Sequence, residues 1–352
     1  MSIIRNGAGD FSELPIRSRE RVELAHGGGG ELMQEIITQV FAAGLDAGNL
    51  QTESDAAVLS FPEGGRLAFA TDSFVVKPLF FPGGDIGTLA VNSTVNDLAM
   101  VGARPLYLST AFILEEGLPL VTLDQVVASM HKAAQAVGVH VVTGDTKVVD
   151  RGAGDLVYIN TTGVGVIEGD RQIGPRSVQS GDAILVNGDV GRHGIAVLSV
   201  RQELGFHTQV QSDSAPLFSL VQTLLEADID VHCMRDLTRG GLASALIEIA
   251  RTASLDIDIA EGRVPVSQEV AAVCELMGLD PMYVANEGRL VVFVPADQAD
   301  AAKKVMKAHP QGRGTRRIGT VGKAGKQVRL RTSIGTRRIL DRRNGEKLPR
   351  VC

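Results

Sequence analysis

The chain has 352 residues, of which 44% are apolar and 40 are glycine, and its formal net charge is −6. These values describe a globular protein long enough for two domains, and they exclude a disordered or fibrous chain. No run of about 18 apolar residues is present to cross a bilayer, and residues 1–30 lack the apolar segment of a signal peptide. We therefore expect a cytoplasmic protein that is not associated with a membrane.

The first half of the sequence alternates between predicted strands and helices. After a polar lead, a run of His-Gly-Gly-Gly-Gly at 26–30 precedes a helical pattern with Leu32, Ile36, Ile37, Val40 and Phe41 on one face. Apolar runs predict strands at 57–60, 66–70, 105–114, 139–143 and 156–167. Helices are predicted at 86–100 and 123–137.

The second half repeats this alternation after a break at Ser-Gly-Asp, 180–182. Strands are predicted at 183–186, 257–260 and 290–294, with two more within 316–332. Helices are predicted at 195–203, 216–226, 241–252, 266–277 and 297–308. The pattern predicts two α/β or α+β domains, 26–180 and 181–340, preceded by a lead, 1–25, and followed by a mobile tail, 341–352.

The charge is distributed unevenly along the chain. Residues 310–352 contain thirteen Lys and Arg against two Asp and Glu, a local balance of +11, so the remainder must carry −17. This basic segment has no aromatic residue on which bases could stack, so we expect no nucleic-acid partner. Either the segment docks on its own protein, on a partner or near phosphates, or its charges decorate solvated strands. Both interpretations remain open.

Five aspartates lie at predicted strand ends and helix starts: Asp55, Asp72, Asp97, Asp145 and Asp236. Each taken alone is typical of a helix cap or a turn. Hard oxygen ligands gathered from several loops, however, suit Mg²⁺ held against a polyphosphate. The common phosphate-binding loops are absent, because the segment 319–326 has the wrong glycine spacing for a Walker A motif and no GxGxxG follows a strand. The set therefore predicts a shared site.

Several other residues are candidates for chemistry. Glycines 27–30 allow close approach of a ligand to the start of a helix, although they are equally compatible with a simple turn. Lys147 is placed to neutralise phosphate or oxyanion charge unless it is an ordinary surface lysine. Glu287 is either a general base or an ion-pair partner of Arg289.

The three cysteines are too few and too scattered for a disulfide framework or a CxxC metal site. Cys233 and Cys274 lie in apolar stretches and are predicted to be core residues. Cys352 is the last residue, and an extended tail of twelve residues spans roughly 40 Å. That length would bring its thiol to an active site in the same subunit or in a neighbour.

Taken together, nine segments resemble one family, in order, from about His26 to Cys352. They are His-Gly-Gly-Gly-Gly at 26–30, Thr-Asp-Ser-Phe-Val at 71–75, Pro-Leu-Phe-Phe-Pro-Gly-Gly at 78–84, Asn-Asp-Leu-Ala-Met at 96–100, Phe-Ile-Leu-Glu-Glu-Gly-Leu at 112–118, Val-Thr-Gly-Asp-Thr-Lys-Val-Val at 142–149, Asp-Leu-Thr-Arg-Gly-Gly at 236–241, Ala-Asn-Glu-Gly at 285–288 and Pro-Arg-Val-Cys at 349–352. The sequence resembles the HypE family of [NiFe]-hydrogenase maturation factors. That family belongs to the superfamily of aminoimidazole ribonucleotide synthetase, selenophosphate synthetase and thiamine-monophosphate kinase.

The resemblance implies a two-domain PurM-like fold, with a β-rich N-terminal domain that dimerises, a C-terminal α/β domain and a flexible C-terminal tail. It implies a homodimer that binds ATP and Mg²⁺. It also implies the reaction: a carbamoyltransferase, HypF, loads a carboxamide on the terminal thiol. ATP-dependent dehydration then converts the carboxamide to a thiocyanate, and the cyanide passes through the HypC–HypD complex to the hydrogenase iron.

The matched motifs also imply residue roles. The catalytic residues would be Cys352, Glu287 as the base and Lys147 as a stabiliser of charge. Nucleotide-binding residues would be Gly28, Gly29, Gly30, Asp55, Asp72, Asn96, Asp97, Thr143, Gly144, Asp145, Asp236 and Thr238. The five aspartates would also be the metal ligands. Two departures from the family pattern are a longer lead before His26 and Gly28 where the family often has serine.

Other functions remain to be weighed against this one. A selenophosphate synthetase carries a reactive cysteine or selenocysteine near its N-terminus, whereas the first cysteine here is Cys233. A small-molecule kinase such as thiamine-monophosphate kinase would share the aspartates but has no use for a terminal thiol. A metallochaperone scaffold would offer Cys352 to a metal, but one cysteine is a poor site without further soft ligands.

Overall fold

The computed structural model describes residues 20–27, 31–45, 61–62, 64–201, 208–332 and 334–341. The strands in this part of the chain are β1 (Arg66–Phe74), β2 (Phe80–Phe81), β3 (Gly84–Asp85), β4 (Arg104–Glu115), β5 (His140–Val149), β6 (Val157–Ile167), β7 (Ala183–Val186), β8 (Cys233–Asp236), β9 (Leu255–Ala260), β10 (Leu290–Val294), β11 (Arg316–Ala324), β12 (Val328–Arg331) and β13 (Arg337–Leu340). The α-helices are α1 (Glu31–Ile36), α2 (Ile86–Met100), α3 (Leu120–Val137), α4 (Arg192–Ser199), α5 (Phe218–Glu226), α6 (Gly241–Ala253), α7 (Gln268–Met277) and α8 (Ala299–Ala308). None of these helices is long and apolar enough to span a bilayer.

The N-terminal sheet has the strand order β1-β6-β4-β5. Strand β6 pairs antiparallel with β1 and β4, and β4 pairs parallel with β5. Helices α2 and α3 cover one face of the sheet and share its apolar core. Helix α2 is buried along nearly its whole length, and Asp85 caps it by accepting hydrogen bonds from the amides of Gly87 (2.8 Å) and Thr88 (3.0 Å).

The C-terminal sheet has the strand order β13-β12-β9-β11-β7-β10-β8 and is antiparallel except for the β9–β12 pair. Helices α5 and α8 pack on one face of its centre, and α6 packs on the other. Strands β7 and β10 are therefore buried on both sides, which explains why their sequences are apolar at every position rather than at alternate ones.

Helix α2 joins the two sheets into one structure. Asn96 on α2 accepts a hydrogen bond from the Leu217 amide (2.7 Å) and donates to the Ala215 carbonyl (3.1 Å), both in the second half of the chain. The last turn of α2, with Ala99 and Met100, packs in the same apolar cluster as α5 and α8. Residues on α2 are thereby held against loops of the C-terminal sheet.

The predicted two-domain α/β and α+β fold is confirmed. The helix predicted after His26 is present as α1, which continues as a π-helix over Ile37–Ala42 with Val40 and Phe41 buried. The strand predicted at 57–60 lies outside the described residues. Three features were not predicted: the short β2–β3 hairpin, strand β8, and strand β13, whose two arginines and exposed Ile339 give no apolar pattern.

Candidate active site at the domain junction

Four acidic residues from both domains approach one another at the junction, and we call them the carboxylate cluster: Asp72, Asp97, Asp236 and Glu287. Asp72 on β1 lies opposite Thr161 on β6. The Thr161 hydroxyl donates to a carbonyl of α2, so both residues are on the sheet face that α2 covers. Asp97 is on α2 itself. Asp236 ends β8, and Glu287 lies in the loop that leads into β10.

The surroundings of the cluster raise the pKa of its aspartates. Burial is the largest of the causes that raise the pKa of Asp97 to about 7; repulsion from Asp236 and Asp72 contributes to that rise, and nearby arginines oppose it. Burial likewise raises the pKa of Asp236 to about 6, with a contribution from Asp72. The pKa of Asp72 is raised by burial too. Electrostatic repulsion therefore acts between carboxylates on opposite sides of the domain junction.

Arg235 on β8 and Arg239 on the turn after it moderate this negative charge. Arg235 and Arg239 both lower the pKa of Asp97. The Arg239 guanidinium lies 4.0 Å from the Asp72 carboxylate and is itself largely exposed, so this contact links the C-terminal turn after β8 to strand β1. The partial compensation leaves a net negative site that suits a cation or a cation-bound polyphosphate.

Glu287 is the most deeply buried member of the cluster. Its Oε2 accepts a hydrogen bond of 2.6 Å from the Ser93 hydroxyl of α2, while its Oε1 is buried and has no hydrogen-bond partner. Burial raises the pKa of Glu287 well above its usual value, and repulsion from Asp236, Asp213 and Asp72 adds to the rise although the Ser93 bond opposes it. A buried carboxyl with one bonded and one open oxygen is suited to accept a proton from a bound group.

The loop that carries Glu287 is held rigidly. The Asn286 side chain accepts from the Gly191 amide (2.6 Å) and donates to the Leu237 carbonyl (3.0 Å). The Gly288 amide donates to Asp213 at 3.1 Å, and a Cβ at Gly288 would lie 1.9 Å from the Asp213 carbonyl oxygen. Only glycine fits this close approach, so the sequence Asn-Glu-Gly is required by the backbone around Glu287.

The sequence left open whether Glu287 pairs with Arg289. Arg289 instead donates to the Asp189 side chain (2.9 Å) and to the Asp189 carbonyl (2.8 Å), while Glu287 is bonded to Ser93. The interpretation of Glu287 as a structural partner of Arg289 is therefore not supported, and its carboxyl is available for chemistry.

The predicted residues on β5 lie elsewhere in the chain. Asp145 and Lys147 form an exposed ion pair of 3.0 Å, and Asp145 lies opposite Ala111 of β4. Strand β5 is at one edge of the sheet and β1, with Asp72, is at the other. Thr143 and Gly144 precede the pair on the same strand. One chain thus brings Asp72, Asp97 and Asp236 together but not Asp145.

The remaining predicted residues divide into two groups. Asn96 uses its side chain to tie the domains together, as described above, and the Thr238 carbonyl accepts from the Gly241 amide (2.9 Å) at the start of α6. Gly28, Gly29, Gly30, Asp55 and Cys352 lie outside the described residues. Within the described ranges, no group of three or more His, Cys, Asp or Glu side chains is arranged closely enough to hold a metal ion.

Ser93, Asn286 and Arg239 are members of the site that were not predicted from the sequence. A usable signal for Ser93 was present, because Asn92, Ser93, Thr94 and Asn96 form a polar run in a helix that is otherwise apolar all round. Such a run in a buried helix must satisfy its hydrogen bonds by contacts with other elements. Ser93 and Glu287 are 194 residues apart in the chain, so no local sequence pattern indicates their hydrogen bond.

The two internal cysteines are core residues, as predicted. Cys233 and Cys274 are buried, and burial raises the pKa of their thiols to about 12 and about 11, respectively. Neither thiol is a competent nucleophile at neutral pH, because the thiolate is the reactive form.

Comparisons with known proteins agree with this architecture. The family model of the AIR synthase related protein N-terminal domain matches residues 53–167, and that of the C-terminal domain matches residues 179–331. A carbamoyl dehydratase HypE of Cupriavidus necator is 49% identical over 333 residues, which cover 94% of this chain and 95% of that protein. The HypE of Azotobacter vinelandii is 47% identical over 343 residues, covering 97% of this chain and all of that protein.

Solved structures give the same result. A crystal structure of the hydrogenase maturation protein HypE in complex with ATP has a TM-score of 0.89 and 47% identity, covering 94% of this chain and 99% of that one. The HypE chain of a HypE–HypF complex has a TM-score of 0.76 and 44% identity, covering 89% of this chain and all of that one. With both domain models matched and close identity over nearly the whole length, the chain belongs to the HypE family of carbamoyl dehydratases.

Proposed function

We propose that this protein uses ATP to dehydrate a carboxamide on its own Cys352 to a thiocyanate, which supplies the cyanide ligands of the [NiFe]-hydrogenase iron. The observation that carries the proposal is Glu287: a fully buried carboxyl, bonded through one oxygen to Ser93 and open at the other, beside three aspartates of the domain junction. Family membership and the ATP complex of a relative at 47% identity give further support.

The chemistry explains why ATP is needed. The oxygen of a carboxamide is a poor leaving group, so it first attacks the γ-phosphorus of ATP and ADP departs. One N–H proton leaves as the C=N bond forms. The second proton leaves as the C–O bond breaks, and phosphate takes the electron pair of that bond. Atoms balance as carboxamide plus ATP giving thiocyanate, ADP and phosphate.

Glu287 is the base in this proposal. Its open Oε1 accepts an amide proton, and its raised pKa gives the carboxylate the basicity that a weakly acidic N–H requires. Ser93 positions the carboxyl through Oε2 and favours its ionised form. The rigid Asn-Glu-Gly loop keeps the base in place without reorganisation during the reaction.

Asp72, Asp97 and Asp236 would hold Mg²⁺ only together with the phosphate oxygens of ATP, because the described carboxylates alone do not form a metal site. Their mutual repulsion and raised pKa values are relieved when a divalent cation binds, and carboxylate oxygens are the ligands that Mg²⁺ prefers. Bound there, Mg²⁺ would neutralise the phosphate charge of ATP. Asp55 and the glycines 28–30, outside the described residues, remain proposed members of this nucleotide site.

Lys147 and Asp145 can contribute to the reaction only if another part of the protein brings the reacting group to them. Both lie on the exposed side of β5, so a reacting group reaches them only if the tail or a second copy of the chain brings it there. The same sheet exposes Leu67 and Phe69, which are 62% and 67% exposed. An apolar exposed sheet face supports the proposed homodimer, in which Lys147 would stabilise the developing negative charge.

The partners follow from the reaction. HypF is proposed to load the carboxamide, and a relative of this chain at 44% identity has been crystallised with HypF. The HypC–HypD complex is proposed to receive the cyanide. Because the cycle requires ATP and a reduced thiol, we place the protein in the cytoplasm.

Intact mass spectrometry tests the proposal directly. The full chain is incubated with HypF, carbamoyl phosphate and ATP and then with ATP alone. We expect the mass to rise by one carboxamide and then to fall by one water, and we expect neither change in Cys352→Ala. An unmodified Cys352 in the presence of demonstrably active HypF would reject the carrier role and favour a small-molecule kinase or synthetase, or a metallochaperone scaffold.

A further inference from the structure

Four arginines surround a cleft of about 280 Å³ on the solvent side of the C-terminal sheet. Arg329 and Arg331 are on β12, Arg337 is on β13 and Arg263 follows β9. We call these four residues, together with the neighbouring Ile339, the arginine face. The cleft is also lined by one acidic residue and five uncharged ones: Asp258, Ile259, Ala260, Ile318, Gly319 and Thr320.

Three of the four positive charges of the arginine face have no carboxylate partner within the described part of the chain. Arg331 lies directly opposite Arg337 in the antiparallel β12–β13 pair, an arrangement of like charges that disfavours pairing. Arg329 bonds to Asp256 and lies 4.0 Å from Asp258, but Arg263, Arg331 and Arg337 contact no carboxylate there.

Two other arginines of the same segment have polar partners within the protein. Arg338 lies on the opposite side of β13 and forms an ion pair of 2.8 Å with Asp280. Arg317 donates to the Thr320 hydroxyl at 3.3 Å. Arg263, Arg331 and Arg337 thus bring three guanidinium groups without a carboxylate partner in the described part of the chain to one cleft. A local concentration of guanidinium groups is suited to bind carboxylates in a bidentate manner.

The arginine face lies where the carrier tail begins. Strand β13 is the edge strand of its sheet, and the chain passes from Leu340 directly into the segment 341–352 that ends in Cys352. The Tyr283 hydroxyl donates to the Asp341 carbonyl at 2.8 Å and so holds the start of that segment beside β13. A protein that acts on the Cys352 thiol is limited by the twelve-residue segment to within roughly 40 Å of this region.

The composition of the face favours a protein partner. Ile339 is 51% exposed next to Arg337, and an aliphatic side chain beside arginines is typical of protein interfaces. Residues 310–352 contain no aromatic side chain for base stacking. A second copy of this chain is a poorer partner, because it would present the same cations.

We propose that the arginine face is the docking surface for an acidic surface of the carbamoyltransferase that loads Cys352. This proposal rests on the proposed function, since it assigns the partner of the same tail. Docking beside the root of the tail would bring the loading enzyme within reach of the thiol. The interaction would weaken with rising salt, because the charges are exposed.

The first test measures the affinity of the full-length protein for purified HypF by titration at low and at high salt. Arg331→Glu should weaken binding at low salt by about tenfold or more, and the wild-type affinity should fall toward that of the variant as salt is raised. The matched control is Arg313→Glu, an exposed cation of the same basic segment outside this face. It changes net charge equally and should leave the affinity within about twofold of wild type.

Folding does not confound this test. Replacing Arg331 by glutamate turns a like-charge pair with Arg337 into an opposite-charge pair, so the melting temperature should be unchanged or higher. Binding should nevertheless fall. A variant that is at least as stable as wild type but binds HypF weakly separates a docking role from a structural one.

The second test follows the mass of Cys352 while HypF concentration is varied. Arg331→Glu should need about tenfold more HypF to reach half-maximal loading, with the maximal rate retained. Once loaded, the variant should lose water on addition of ATP at the wild-type rate. Failure of wild type to be modified at all would reject the proposed function, while the binding titration would still decide the docking proposal.

Two results would overturn the docking proposal. One is unchanged HypF affinity in both Arg331→Glu and the double variant Arg331→Glu/Arg337→Glu. The other is specific binding of a single-stranded oligonucleotide to wild type that Arg331→Glu abolishes while HypF binding persists, which would assign the face to nucleic acid.

Discussion

Glu287 and Lys147 were predicted to act together, yet their surroundings are opposite. Glu287 is buried at the domain junction, bonded to Ser93 across 194 residues of sequence, with a raised pKa. Lys147 is exposed on an edge strand and paired with a neighbour two residues away. One chain therefore holds the proposed base in a complete set of contacts, whereas the proposed cationic residue has no contact with that site. Two residues can therefore belong to motifs of the same family and still lie in different places in a single chain.

The substitution Glu287→Gln tests whether the buried residue is the base, and we expect it to have the greatest effect on activity. The amide retains an acceptor for Ser93 but cannot take a proton, so we expect dehydration of the loaded carboxamide to fall by about 10²–10⁴-fold. ATP affinity should stay near that of wild type. Single-turnover mass spectrometry gives the rate and a nucleotide titration gives the affinity. Glu275→Gln at an exposed position of α7 is the control, and full activity of Glu287→Gln would reject the assignment of the base.

Lys147→Ala examines the exposed member of the pair. Loss of a cation that stabilises developing negative charge should lower the dehydration rate by about 10²-fold. If Lys147 acts from a second copy, mixing inactive Lys147→Ala with inactive Glu287→Gln should restore part of the activity. Size-exclusion chromatography with light scattering would establish whether mixed dimers form. A wild-type rate in Lys147→Ala would make it an ordinary surface lysine.

Ser93→Ala sharpens the account of the buried site. The Ser93 hydrogen bond lowers the pKa of Glu287, so without it the pKa rises further and the carboxylate form appears only at higher pH. We expect the ascending limb of the pH–rate profile to move to higher pH, with a rate loss of about tenfold at neutral pH. An equal loss at every pH would instead indicate a purely structural role for Ser93.

The smallest expected effect is on stability, in Asp97→Asn measured without divalent cations. The pKa of Asp97 rises from 3.8 unfolded to about 7 folded. Its contribution to stability is therefore present at low pH and is lost as pH rises through about 7. The variant should melt a few degrees higher than wild type at pH 8, by roughly 2–4 °C per kcal/mol, with a smaller gain at pH 5. A larger gain at pH 5 than at pH 8 would contradict the raised pKa.

Much of the fold was accessible from sequence because its cues are local. The buried helix α2, strands β7 and β10 and the turn before α6 each carry their pattern within about fifteen residues. Strand β13 was missed because its register comes from β12, not from its own apolar pattern. The same pairing places Arg331 opposite Arg337, so the arginine face could not be derived from composition, although the excess of basic residues in that segment was evident.

Local sequence patterns were sufficient to predict two α/β and α+β domains, buried internal cysteines, a terminal cysteine and a set of candidate carboxylates. Which carboxylates lie together depends on the packing of the domains, because α2 brings residues of one sheet against loops of the other. Burial at this junction then changes their chemistry. A carboxylate that is buried there loses solvation, which raises its pKa, and repulsion from the other carboxylates beside it raises the pKa of Asp97 and Glu287 further.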